Sequence, residues 1–90
     1  VQWDDTGQEL LKTRLTIQIH HILHERGLTQ AQAGKVLGIA QSQVSALVRN
    51  RAGNFSVGRL MEFLALLGQD VKITVTPADK EQGEISVEVG

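Results

Sequence analysis

The stretch from Leu28 to Asn50, "LTQAQAGKVLGIAQSQVSALVRN", holds two short runs of helical periodicity broken at Gly38. Ala33, Leu37, Ile39, Val44 and Leu47 fall at spacings that give the two runs one shared apolar side. Gly38 stands where a helix must turn sharply and restart, which favours a residue tolerant of positive φ. Gly34, four residues earlier, carries no side chain to hold the two helices apart. The pattern predicts a helix-turn-helix. Its second helix turns Gln41, Ser42, Gln43 and Ser45 outward, and the whole stretch lacks Asp and Glu.

Outward from this pair, Leu11, Leu15, Ile19, Ile22 and Leu23 form one stripe of a first helix from Gly7 to Arg26, with Gly27 as its stop. Thr29 suits the N-cap of the second helix, which runs through Ala31 and Val36 to Gly38, and the third occupies Gln41 to Val48. "NRAGNF", residues 50–55, reads as a loop. Ser56 suits the cap of a fourth helix, in which Val57, Leu60, Met61, Phe63, Leu64, Leu66 and Leu67 cover more than half the circumference. After Gly68 the period drops to two. Val71, Ile73 and Val75 alternate with Lys72, Thr74 and Thr76, and Ile85, Val87 and Val89 alternate with Ser86 and Glu88 beyond a polar loop from Pro77 to Gly83.

Two strands make a poor sheet in water. Pairing with the same strands of a second copy would give four and would cover the over-apolar fourth helix. The sequence therefore predicts a homodimer with Phe63, Leu66, Leu67, Val71, Ile73 and Val75 at the interface; the alternative is a hairpin folded onto its own fourth helix. The expected organisation is an N-terminal arm over 1–6, a helix-turn-helix domain over 7–68 with the motif at 29–49, and dimerising β-strands over 69–90. The fold class is mainly α, four helices followed by a C-terminal β-hairpin.

Ninety residues suit one small domain. The chain has no Cys, which excludes disulfides and thiolate metal sites and points to a reducing, cytoplasmic setting. No apolar run approaches the ~20 residues that span a bilayer, so no membrane partner is expected. Because the first residue is Val rather than Met, further residues are expected before it. The net charge of -1 hides a strong segregation. Between Glu25 and Glu62 lie Arg26, Lys35, Arg49, Arg51 and Arg59 with no acid, a local +5; the remainder holds ten carboxylates against Lys12, Arg14, Lys72 and Lys80, a local -6. A basic stripe in an acidic protein is the footprint of a polyanion-binding face.

Carboxylates on that face would repel phosphates, whereas Gln and Ser offer donors and acceptors to base edges. A Gln pairs with adenine N6 and N7 through two hydrogen bonds, worth about 1–3 kcal/mol of discrimination. Gln41, Ser42 and Gln43 are the base-reading candidates, with Ser45 and Ala46 one turn further on and Ala46 suited to a thymine methyl. Gln30 is assigned to a phosphate, because a helix N-terminus attracts anions. Lys35, Ser45, Arg49, Arg51 and Arg59 complete the backbone set, with Asn54 and Ser56 as neutral helpers. An isolated Gln or Ser would mean only a solvated helix face. The acid-free constellation with its two glycines means double-stranded DNA.

"GLTQAQAGKVLGIAQSQVSALVRNR" followed by "FSVGRLMEFLALLGQDVKITV" resembles the Xre/Cro-type helix-turn-helix regulators, the phage-repressor-like family, over Thr16 to Val75. The resemblance implies a lambda-repressor-like domain. The helix-turn-helix placed ahead of a short β end looks like the small antitoxins of the HigA-like and HipB-like kind. That resemblance implies a homodimer on a palindromic operator, repression of its own operon, and a cognate toxin as second partner. The family's recognition contacts map onto Gln41, Ser42, Gln43 and Ala46, where a longer polar residue is common at the last position. Gly34 stands where the family usually has Ala, a departure expected to cost about 0.5–1 kcal/mol. The competing readings are a phage-type or housekeeping regulator without a toxin, and a protein-interaction module that has lost DNA binding.

Other constellations carry less. His20 and His24 have metal-ligand spacing with His21 nearby, but no Cys or carboxylate completes the set, so no metal or other cofactor is expected. Leu10 and Ile17 project opposite the core stripe of the first helix and read as scattered surface apolars. Trp3, with Asp4 and Asp5, reads as a loose arm. With no Cys nucleophile, phosphate-binding Gly loop or paired acids, no enzyme activity is expected.

Overall fold

The computed structural model describes residues 5–49, 55–81 and 83–87, with four helices among them: α1 (Asp5–Glu25), α2 (Gln30–Leu37), α3 (Gln41–Val48) and α4 (Val57–Leu66). Trp3, Arg51, Asn54 and Val89 lie outside the described residues. Helix α1 begins at Asp5, two residues before the predicted start at Gly7. It buries Leu15, Ile19, Ile22 and Leu23, the predicted stripe, together with Thr16, whose hydroxyl donates to the Lys12 carbonyl at 2.7 Å and so enters the core satisfied. Leu10 and Ile17 stand exposed on the other side.

Helix α1 packs on α4, and α2 on α3, with α1–α3 and α2–α4 contacts closing one core. Ile19, Leu37, Val44, Leu47, Leu60, Phe63 and Leu67 form its fully buried centre. Phe55, read as a loop residue, is buried and meets Phe63 edge-on at 5.2 Å between ring centroids. This geometry corrects the predicted dimer surface. Phe63 and Leu67 lie at 0% exposure within their own chain, whereas Leu66 is 49% exposed on the flank of α4.

The C-terminal β-hairpin is also corrected: among the described residues after α4 no strand is formed. Val71, Ile73, Val75 and Ile85 are exposed, Ile73 at 75% and Val75 at 91%, while Val87 packs partly against the core. An isolated two-stranded ribbon buries too little apolar surface to offset its ordering entropy. Lys80 donates to Glu84 at 2.6 Å, and this hydrogen bond and charge hold the Glu84 carboxyl below its usual pKa. No helix among the described residues is long and apolar enough to cross a membrane.

The ends of α1 and α4 are tied together by Arg26, whose guanidinium donates to the Leu67 carbonyl beyond the last turn of α4. That bond satisfies a carbonyl orphaned by helix termination. Replacing Arg26 with Met should lower unfolding stability by about 1–2 kcal/mol, read from the denaturant midpoint. An unchanged midpoint would mean that water replaces the bond without loss.

Candidate nucleic-acid interface

The helix-turn-helix is built from local signals. Thr29 opens α2 with a reciprocal cap: the Gln32 N–H donates to Thr29 Oγ1 at 3.1 Å, and the Thr29 N–H donates to Gln32 Oε1 at 2.9 Å. Gly38 ends the helix at φ 72°, and the Ile39 N–H donates back to the Gly34 carbonyl at 3.0 Å. Gly34 is buried, and a Cβ placed on it would stand 2.7 Å from the Ile39 carbonyl oxygen. Far from being a mildly unfavourable departure, Gly34 lets this turn close against α2.

Helix α3 turns Val44 and Leu47 into the core and leaves Gln41, Ser42 and Gln43 exposed at its N-terminal end. Ser45 and Ala46 are half-buried one turn on, and Arg49 is exposed at the C-cap. Helical spacing aligns Gln41 with Ser45 and Arg49, and Ser42 with Ala46, on a face opposite the core. Neither α2 nor α3 contains an acid, so nothing on these helices offsets the positive potential at their N-terminal ends. Lys35 is exposed in the last turn of α2.

Gln30 is half-buried at the start of α2, where it lines a shallow groove of about 230 Å³ with His20, His24, Thr29, Val44 and Val48. Sequence reasoning did not bring the two histidines to this edge of the motif, because the approach of α1 to α2 and α3 is non-local. His21 faces elsewhere along α1, with Nε2 3.1 Å from Glu25 Oε1.

Two candidate phosphate ligands are otherwise engaged. Arg59 pairs with Glu62 at 2.7 Å and lies 4.7 Å from the Phe63 ring centroid, so its charge is offset at the surface of α4. The Ser56 hydroxyl accepts from the Arg59 N–H at 3.1 Å as the cap of α4. Arg26, counted in the basic stripe, is committed to Leu67. Of the described cations between Glu25 and Glu62, Lys35 and Arg49 make neither an ion pair nor a side-chain hydrogen bond among the described residues.

Sequence reasoning also missed the role of two glutamines as caps. The Ala40 N–H donates to Gln43 Oε1 at 3.0 Å, the same construction as Thr29 with Gln32 but without a side-chain oxygen at the cap. The spacing was legible: "TQAQ" at 29–32 and "AQSQ" at 40–43 both put Gln three residues after the cap.

Comparison with known proteins agrees with this architecture. The family model described as a helix-turn-helix domain matches residues 3–76. A solved chain assigned as a candidate XRE family transcriptional regulator aligns with a TM-score of 0.91 and 35% identity, covering 97% of this chain and 100% of that one. No curated protein matches the chain. A family match over most of the sequence, together with a relative this similar along its full length, means that the chain belongs to the XRE-type helix-turn-helix transcriptional regulators, a DNA-binding family.

Proposed function

We propose that the protein is a sequence-specific repressor that binds a palindromic operator as a homodimer and, as the cytoplasmic antitoxin of a type II toxin–antitoxin pair, represses its own operon. The observation that carries DNA reading is the exposed, acid-free end of α3, with Gln41, Ser42 and Gln43 presented together. Dimerisation is supported by Leu66 on the flank of α4 and by Val71, Ile73, Val75 and Ile85, which keep a period-two apolar pattern after it, all of them exposed in the single chain. A second copy supplies the missing cover and brings two recognition helices to successive major grooves about 34 Å apart. The antitoxin role rests on the sequence resemblance to small HigA-like and HipB-like proteins, drawn from a helix-turn-helix followed by alternating apolar residues that form no strand among the described residues of the single chain.

Selection from a random duplex library tests the reading. The expected product is an inverted repeat with half-site centres about 10 base pairs apart, bound by two chains as measured by light scattering. Enrichment of a single half-site bound by one chain would remove the dimer. For the antitoxin role, the product of an adjacent small reading frame should arrest growth when expressed alone and co-purify with this chain when the two are expressed together. A gene transcribed in isolation, with no such neighbour, would leave a regulator without a toxin.

A further inference from the structure

Helix α3 starts on Ala40, which has no side-chain oxygen to cap the first turn. The cap runs in one direction: the Ala40 N–H donates to Gln43 Oε1 at 3.0 Å and makes no backbone hydrogen bond among the described residues. The Gln43 carboxamide is thereby fixed in orientation. One of the two lone pairs of its oxygen is taken by that N–H, so the wholly free polar group of the carboxamide is the Nε2 amino group, with two donor hydrogens. Gln41, two residues earlier and equally exposed, makes no side-chain hydrogen bond among the described residues and keeps both donor and acceptor.

This difference separates the two glutamines as readers. Bidentate pairing with adenine needs a side-chain oxygen to accept from N6 and an amino group to donate to N7. At Gln43 that oxygen already accepts from the Ala40 N–H, so adenine N6 would have to share it or displace the cap bond. Guanine instead presents two neighbouring acceptors, O6 and N7, to the major groove. On the reading of α3 as the recognition helix, we propose that Gln43 is a guanine-specifying residue, donating from Nε2 alone to O6 and N7 while its oxygen caps α3. Adenine at the same position turns its N6 donor toward that amino group and is the less favoured base.

The test compares sequences selected from a random duplex library by the wild type, Gln43→Ala, Gln41→Ala and Ala40→Pro. Proline removes the N–H that holds the Gln43 oxygen, and Ala40 already has φ −69°, within the range a pyrrolidine ring imposes. The wild type should select guanine over adenine about tenfold at one position of each half-site. Gln43→Ala should lose that preference, and Ala40→Pro should move it toward adenine. Circular dichroism checks that Ala40→Pro is folded; if it is not, Gln43→Lys, donor only, should keep guanine, and Gln43→Glu, acceptor only, should lose it. Selection of any other base at the Gln43-dependent position overturns the proposal, as does a profile that changes with Gln41→Ala but not with Gln43→Ala. If neither substitution changes the selected sequence, α3 is not the reading helix and the proposed function falls with the inference.

Discussion

Raising salt from about 50 to about 200 mM is expected to weaken operator binding by about a thousandfold, far more than an overall charge of -1 would suggest. The number follows from which cations are available to phosphates. All five cations of the acid-free segment would give about ten contacts per dimer and a log–log slope near −9. The structure removes two of them, because Arg26 is bonded to the Leu67 carbonyl and Arg59 is paired with Glu62. Lys35 and Arg49, with Arg51 two residues on in the sequence, leave about three cations per copy and six per pair, for a slope near −5. Anisotropy titrations at four or five salt concentrations measure it. A slope near −9 would show that Arg26 and Arg59 leave their partners on DNA; one shallower than about −2 would show that the basic segment does not contact phosphates. Replacing Arg49 with Ala should flatten the slope by about 2, one counterion per copy, and weaken all sequences alike.

The parts of this molecule that could be read beforehand are those specified within one or two turns of chain. Thr29, Gly38, Ser56 and the apolar spacing in α2, α3 and α4 each act on near neighbours, and the helix boundaries came out close to expectation. Helix α4 was harder. With apolar residues around most of its surface, nothing local distinguishes Phe63 and Leu67, which face the rest of the core, from Leu66, which does not. That choice is made mainly by packing against α1, which lies far away in the sequence. The alternation at Val71, Ile73 and Val75 is plain in the sequence, but periodicity states only which faces a strand would have. Whether the strand forms depends on an edge to pair with, and one copy supplies none among its described residues. At the candidate site, the residue types on α3 were legible and their hydrogen-bonding state was not. Gln41 and Gln43 look equivalent as letters, yet the Ala40 N–H makes one of them a cap.

Gly34→Val should remove most of the stability of the domain and, with it, DNA binding. Helix propensity alone predicts the opposite sign, since glycine inside a helix is about 1 kcal/mol worse than alanine. The close approach decides. A Cβ on residue 34 would lie 2.7 Å from the Ile39 carbonyl oxygen and 3.7 Å from both the Gln41 nitrogen and Val44 Cγ2. The obstacle is backbone, and the Ile39 N–H is itself bonded to the Gly34 carbonyl at 3.0 Å, so the turn cannot swing clear without breaking the hydrogen bond that shapes it. For alanine, overpacking of about 1–3 kcal/mol opposes the propensity gain, and a loss of about 1 kcal/mol is expected. Valine adds two methyl groups beside Val44 and the start of α3, raising the loss to about 3 kcal/mol or more, against a total of about 5 kcal/mol for a domain of this size. Urea denaturation of the three proteins gives the order Gly, Ala, Val if contact dominates. Alanine more stable than glycine, with valine near wild type, would mean that the turn yields easily. The α2–α3 spacing would then be set by the core at Ala33, Leu37, Val44 and Leu47 rather than by the missing side chain.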